Sequence, residues 1–419
     1  MYIANGMYDF DEIIDRRGSG ALKVDALLER YGRDDLVGLW VADMDFATPS
    51  FITDALRKRL EHPIFGYTIE PEDYRPAICD WVKSLHGWEI RPEWISYIPG
   101  VVKGIAMAVN YFQPKKVIIQ PPVYHPFRYV IEGCGCDVIY NPLKEVDGTY
   151  EMDFDNLEHI VDEDCRMMII SNPHNPGGIV WGVDTLRRLA RFCYERGIII
   201  ISDEIHSDLA LFGNKHVPLA TVSDEARAIT VTFGAPSKTF NIAGIVSSYA
   251  IVPDDSLRRR FYTWLDACEF SEASILSHIA TIAAFRKGEQ WRREMLKYIE
   301  GNIRFVMNEL EKLNEEFSKS KSSSSDVELI RPWIPQASFL IWLDCRGLMR
   351  ALANTRCKGV FTQADLVDLF VNKAHLALND GSIFGREGEG FMRLNVGCPR
   401  SILSTALKKL SKTITEIVA

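Results

Sequence analysis

Between residues 117 and 252 short apolar runs recur with the regularity of a sheet: Val117 to Gln120, Asp137 to Tyr140, Met167 to Ser171, Ile198 to Ser202, Ala228 to Phe233 and Gly244 to Val252. They are largely apolar at consecutive rather than alternate positions, so both faces of each strand are expected to be covered. Helical patterns separate several of them. The clearest is Asp184 to Arg196, with Asp184 as N-cap, Leu186, Leu189, Phe192 and Cys193 turned inward, and Gly197 closing the helix. Covered strands joined by helices predict a mostly parallel sheet with helices on both sides.

Upstream, residues 51–61 and 72–86 read as helices, and HPIFGYTIEP between them as a loop. In that loop Tyr67 is either packed on the surface or reaches into a site, the packed reading being favoured locally. Ile105, Ala108, Val109 and Phe112 share a helical face, which makes Gly100 to Lys103 a first turn whose free N–H groups suit a phosphate. Downstream, about 256–313 is largely helical, and 315–326 is low-complexity and expected as a mobile surface loop. Ala337 to Leu343 reads as a strand, Gln363 to Asn372 as a helix, and Phe391 to Val396 as a strand containing Arg393. That arginine is either paired structurally or aimed at an anionic ligand. The resulting division is an N-terminal segment (1–50) contributing to a small domain, a large domain (51–290) and a C-terminal small domain (291–419).

The polar groups that follow the strands carry the chemistry. They are Pro121-Pro122-Val123-Tyr124, then Asn172 to Gly178, then Asp203-Glu204-Ile205-His206, then Ser237-Lys238. In open α/β sheets ligands bind outside the carboxyl ends of the strands, which is where these loops fall. Taken alone, a loop lysine such as Lys238 is usually solvated. Its amine can nevertheless form a Schiff base in a site that lowers its pKa. The carboxylates and imidazole of Asp203, Glu204, His206 and Asp208 could also be metal ligands. Extended spacing puts Asp203 and Glu204 on opposite sides, however, and no matching ligand set occurs elsewhere, so no metal is expected.

Composition narrows the class without changing the fold. The 419 residues favour two domains, 47% hydrophobic and 25% charged is ordinary for a globular chain, and a formal charge of -9 argues against nucleic acid or an anionic membrane as partner. The acidic amino terminus is not an export signal, and the longest nearly apolar stretch, Ile242 to Pro253, is shorter than the ~18 residues of a spanning helix. A cytoplasmic location is therefore expected. Nine scattered cysteines form no disulfide framework.

An imine-forming lysine, a carboxylate, an aromatic ring, an amide, a helix N-terminus and an arginine together meet the needs of pyridoxal 5'-phosphate. Asp203 suits its ring nitrogen, Tyr124 its ring face and Asn175 its phenolic oxygen, while the amides of Val101 and Val102 with the Ser237 hydroxyl suit its phosphate. The segments SNPHNPGG, SDEIHSD, APSKTFNIAG and RLNVGCPR resemble the class I/II aminotransferase family, fold type I of the pyridoxal-phosphate enzymes. LWVADMDF, FGYT, PGVV, PPVYHPF and SKTFNIAG resemble more narrowly its carbon-sulfur lyase branch, of cystathionine β-lyase type.

The resemblance implies that Lys238 carries the cofactor and moves the proton, that Arg393 takes the substrate α-carboxylate, and that His206 stands where many relatives keep a tyrosine. It further implies that Tyr67 reaches the cofactor phosphate of a neighbouring subunit in a homodimer, and that Tyr124 or Tyr67 assists the chemistry. The chain departs from the aminotransferases at Val246, where many have a phosphate-gripping arginine. It departs from the lyases at Val24, where an aromatic commonly follows the lysine. The expected reaction is β-elimination from an S-substituted cysteine; transamination by the same lysine, or a regulatory binding role, are the alternatives.

Overall fold

The computed structural model describes residues 7–320, 328–355 and 360–418. Seven strands form the large sheet: β1 (Ile95–Ile98), β2 (Lys116–Ile119), β3 (Asp137–Tyr140), β4 (Cys165–Ser171), β5 (Ile199–Asp203), β6 (Thr230–Gly234) and β7 (Ser248–Ile251), in the order β1-β7-β6-β5-β4-β2-β3. All contacts from β6 through to β3 are parallel, while β7 runs antiparallel to both β6 and β1. Every residue of β6 is buried, as expected of a strand with helices on both faces. The predicted mostly parallel sheet is therefore present.

A second, antiparallel sheet is built from β8 (Arg331–Trp333), β9 (Leu340–Asp344), β10 (Asn379–Asp380) and β11 (Phe391–Asn395), ordered β8-β9-β11-β10. The N-terminal stretch joins this part of the chain, because Val37–Gly38 pairs in parallel with Leu376–Ala377.

Several local expectations are corrected. Ile95–Ile98 is a strand that sequence pattern did not isolate, its four residues all buried. Ala228 and Ile229 end the helix Asp224–Ile229 rather than begin β6. The helix assigned to Asp184–Arg196 is Val183–Glu195 with Gly182 at its N-cap, so Asp184 lies in its first turn, where a carboxylate still complements the helix dipole. Glu315 to Ser320, expected in a mobile loop, complete the helix Glu289–Ser320, while 321–326 lie outside the described residues.

Two glycines fix how the helix Val101–Phe112 meets the sheet. Gly100, the N-cap of Val101–Phe112, has φ 104°, a conformation costly for any residue with a Cβ. At Gly104 a Cβ would stand 2.6 Å from the Ile98 side chain and 2.8 Å from the Phe233 ring. The helix packs tightly on β1 and β6, bringing its first turn close to the end of β6.

Candidate active site

Lys238 follows β6 by a short Ala-Pro-Ser link, inside dense protein but still partly open to the cleft. Its Nζ donates to the Ala42 carbonyl at 2.6 Å. Burial pushes the ammonium down to about 8 and repulsion from Arg393 acts in the same direction, against the attraction of Asp43 and Asp203. An amine so placed gives up its proton at a lower pH than a free lysine.

Asp203 ends β5 and is buried. Burial pushes its carboxyl up to about 7, opposed by the Ile205 N–H, which donates to Oδ1 at 3.1 Å, and by the charge of Lys238. That carboxyl lacks a cation in salt-bridge contact among the described residues and would gain strongly from one. His206 is buried with Nδ1 unpartnered, and burial, then Lys238 and Arg393, push it down to about 3.

Arg393 sits on β11 directly opposite Asn379 of β10. Its guanidinium donates to Asn175 Oδ1 at 2.9 Å, Asn379 Oδ1 at 2.6 Å and the Trp40 carbonyl at 3.1 Å, and lies 4.8 Å from the Phe384 ring centroid. All three acceptors are neutral, Nε is unpartnered, and no acidic residue pairs with it among the described residues. Burial lowers it to about 10, so it stays a cation. Of the two readings left open by sequence, the structural ion pair is the one the geometry does not contain.

Tyr124 is half-buried, edge-on to Phe127 at 5.7 Å, and its hydroxyl is raised by burial and by Asp203, with Arg393 opposing. Asn175 is buried, its N–H donating to Ser171 Oγ at 3.2 Å. Ser237 is buried beside Lys238, and Val101 and Val102 open the helix after Gly100, where first-turn amides have no intrahelical acceptor. Val246 is left-handed at φ 56°, and its side chain would be 3.9 Å from a Cβ at Gly100. Tyr67 is the exception: it is fully exposed, neither packed nor gathered into this chain's cleft.

The alternate residues of the Asp203–Asp208 stretch have a different job. Glu204 accepts from Ser202 Oγ at 2.8 Å and the Leu219 N–H at 3.0 Å and contacts His216 Nε2 at 2.8 Å. Asp208 accepts from Trp81 Nε1 and Thr239 Oγ1, both at 3.0 Å, and contacts His86 Nε2 at 3.0 Å. These saturated carboxylates do not join Asp203 as a ligand set.

Sequence reasoning missed the part played by Trp40 to Phe46. The Trp40 and Ala42 carbonyls hold Arg393 and Lys238, and Asn395 Nδ2 binds the carbonyls of Val41 at 2.5 Å and Asp43 at 2.6 Å. Backbone acceptors leave no side-chain signature. The one available signal was Asp43 and Asp45 at alternate positions, which places both carboxylates on one face of an extended segment.

The family model for aminotransferase class I and II matches residues 34–410. The cystathionine beta-lyase PatB of Bacillus subtilis is 39% identical over 412 residues, covering 97% of this chain and all of that protein. Among solved structures, cystalysin from Treponema denticola, which contains a pyridoxal 5'-phosphate cofactor, superposes with TM-score 0.87 at 31% identity, covering 98% of this chain and 99% of that one. The PLP-bound C-S lyase from Staphylococcus hominis gives TM-score 0.84 at 31% identity, covering 97% and 98% of the two chains. The chain is a member of the aminotransferase class I and II family.

Proposed function

We propose that this protein is a pyridoxal-phosphate-dependent carbon-sulfur β-lyase, cleaving cystathionine- or cystine-type S-substituted cysteines to a thiol, pyruvate and ammonia. The observation that carries the reading is the placement of a readily deprotonated amine, Lys238, and an acid-free buried cation, Arg393, on two carbonyls of one segment. The groups gathered here fit the cofactor: Lys238 would hold its aldehyde carbon, Asp203 its ring nitrogen, Tyr124 its ring face, Asn175 with His206 its phenolic oxygen, and Ser237 with the Val101 and Val102 amides its phosphate.

Bound there, the cofactor supplies an electron sink for charge developing at the substrate α-carbon. Arg393 fixes the α-carboxylate. Lys238 Nζ would accept the α-proton, and its proton affinity, lowered below that of a free lysine, suits it to do so. Tyr124, or Tyr67 contributed by a second copy, would protonate the departing thiolate. Water then completes the balance, the substrate nitrogen leaving as ammonia and its three-carbon skeleton as pyruvate.

Val246 in place of an arginine and the full-length likeness to PatB support elimination over transamination. The exposed run Ile64, Phe65, Tyr67 and Ile69 supports a homodimer in which a second copy covers the loop and receives Tyr67 at its phosphate. Eight free cysteines among the described residues support a reducing cytoplasm, and no described helix is long and apolar enough to cross a membrane.

Incubation of the holoenzyme with cystathionine or cystine, without any keto acid, tests the reading. Pyruvate should appear in amounts equal to the thiol released from cystathionine or to the hydropersulfide released from cystine. Their absence, with amino transfer once a keto acid is added, would replace the lyase by the aminotransferase.

A further inference from the structure

The segment Trp40 to Phe46 ties the two ends of the proposed chemistry together. Arg393 holds its Trp40 carbonyl and Lys238 its Ala42 carbonyl. Asn241 grips it further along, donating to the Met44 and Phe46 carbonyls at 2.9 Å each and accepting the Met44 N–H at 3.0 Å. The side chains of the same segment are locked from the other direction by a closed set of four charges. Lys23 Nζ is 2.7 Å from Asp45 and 3.6 Å from Asp43, and Arg16 is 2.6 Å from each of those aspartates. Lys23 Nζ also donates to the Asp43 carbonyl at 3.2 Å, and the Lys23 carbonyl accepts from Trp40 Nε1 at 3.1 Å.

Lys23 is 1% exposed, deeper than any other lysine described. A buried ion pair adds little net stability relative to apolar side chains of similar volume, whereas it does fix relative geometry. The geometry fixed here is that of the residues touching Arg393 and Lys238. Asp43 is shared electrostatically, since it attracts the Lys238 amine as well as Lys23 and Arg16.

We infer that Lys23 is a positioning residue for the elimination: by pinning Asp43 and Asp45 it holds the segment that sets the Lys238 amine against the α-carbon of a substrate anchored on Arg393. The inference rests on the roles proposed above for Lys238 and Arg393. Lys23 touches neither substrate nor cofactor. It acts through the Ala42 carbonyl, which accepts from the Lys238 amine when that amine is free, the condition in which it must take a proton.

The test uses holoenzyme carrying Lys23→Met, which keeps length and volume without charge, and Lys23→Arg, which restores a cation. Three quantities are compared with the unaltered protein: steady-state constants, the α-deuterium isotope effect on kcat, and the pH midpoint of the visible absorption of the lysine-bound cofactor. Lys23→Met should lower kcat about 10- to 100-fold, as small misplacements of a reacting group do, with KM changed by less than about 3-fold. It should also enlarge the isotope effect and move the absorption midpoint, and Lys23→Arg should recover most of kcat.

A kcat loss matched by the loss of folded, cofactor-loaded protein, with isotope effect and midpoint unchanged, would overturn the inference. So would an unchanged kcat, or a rise confined to KM. Failure of the underlying reading is separately visible: the absorption band would persist in Lys238→Ala whatever Lys23 does.

Discussion

The two carboxylates that bracket His206 differ in almost everything but chemistry. Asp203 and Asp208 are five positions apart and equally buried. Burial would raise both. At Asp208 the His86 and Trp81 hydrogen bonds overcome that effect and bring the carboxyl below its ordinary value, while Asp203, with one backbone N–H and a more distant lysine, is pushed up to about 7. One carboxylate is already paid for within the fold; the other has no cation in contact among the described residues. Partner saturation, rather than burial or residue type, separates a structural from a ligand-directed acid.

Asp203→Asn cuts deepest into that contrast. Turnover should fall about 10²- to 10³-fold, the scale of losing a preorganised electrostatic stabiliser, with little change in melting temperature. Turnover within threefold of normal would return Asp203 to the structural class. Asp208→Asn should do the reverse, costing about 2 to 4 kcal/mol of stability by calorimetry or denaturant titration, with turnover per folded molecule nearly retained.

The same contrast exists between arginines. Arg346 is satisfied by Asp344 and Glu145 at 2.5 and 2.6 Å, whereas Arg393 has only neutral acceptors. Arg393→Ala should lower kcat/KM about 10- to 100-fold, mainly through KM, on the scale of a charge-assisted hydrogen bond. Arg346→Ala should leave KM alone, and equal effects from the two would end the distinction.

The smallest effect concerns pH. Folding raises the Asp203 carboxyl from 3.8 to about 7, so between those values the folded chain binds the extra proton and stability falls as pH rises. Buried His206, lowered from 6.5 to about 3, works in the opposite sense, losing stability as pH drops below the unfolded value. Subtraction isolates the first. Cofactor-free Asp203→Asn should gain about 1 to 2 kcal/mol over the unaltered chain on going from about pH 5.5 to pH 7, and parallel stability curves would contradict the assignment.

Much of this was legible in the sequence because consecutive apolar runs specify strands covered on both faces, and the loops after them carry the reactive groups. Lys238, Asp203, Asn175 and Tyr124 follow such runs, whereas Arg393 lies within one. What was hidden depended on contacts that sequence spacing does not encode. β1 is short and follows Pro92 and Trp94 without a break in pattern, and its strand character comes from pairing with β7. Gly182 rather than Asp184 caps its helix, since the chain before it is extended and the dipole accepts a carboxylate one position further in. Trp40 to Phe46 matter through carbonyls, which every residue has. Tyr67 is uninformative within one chain because nothing in that chain covers it.

The neutral cage around Arg393 has a practical consequence for handling the protein. On the carboxylate-binding role proposed for Arg393, acetate, formate or citrate in a buffer would compete with substrate and also raise the apparent melting temperature, by mass action on the folded state alone. Stabilities and Michaelis constants obtained in different buffers would then disagree in a correlated way, and the anion that raises one most would inflate the other most.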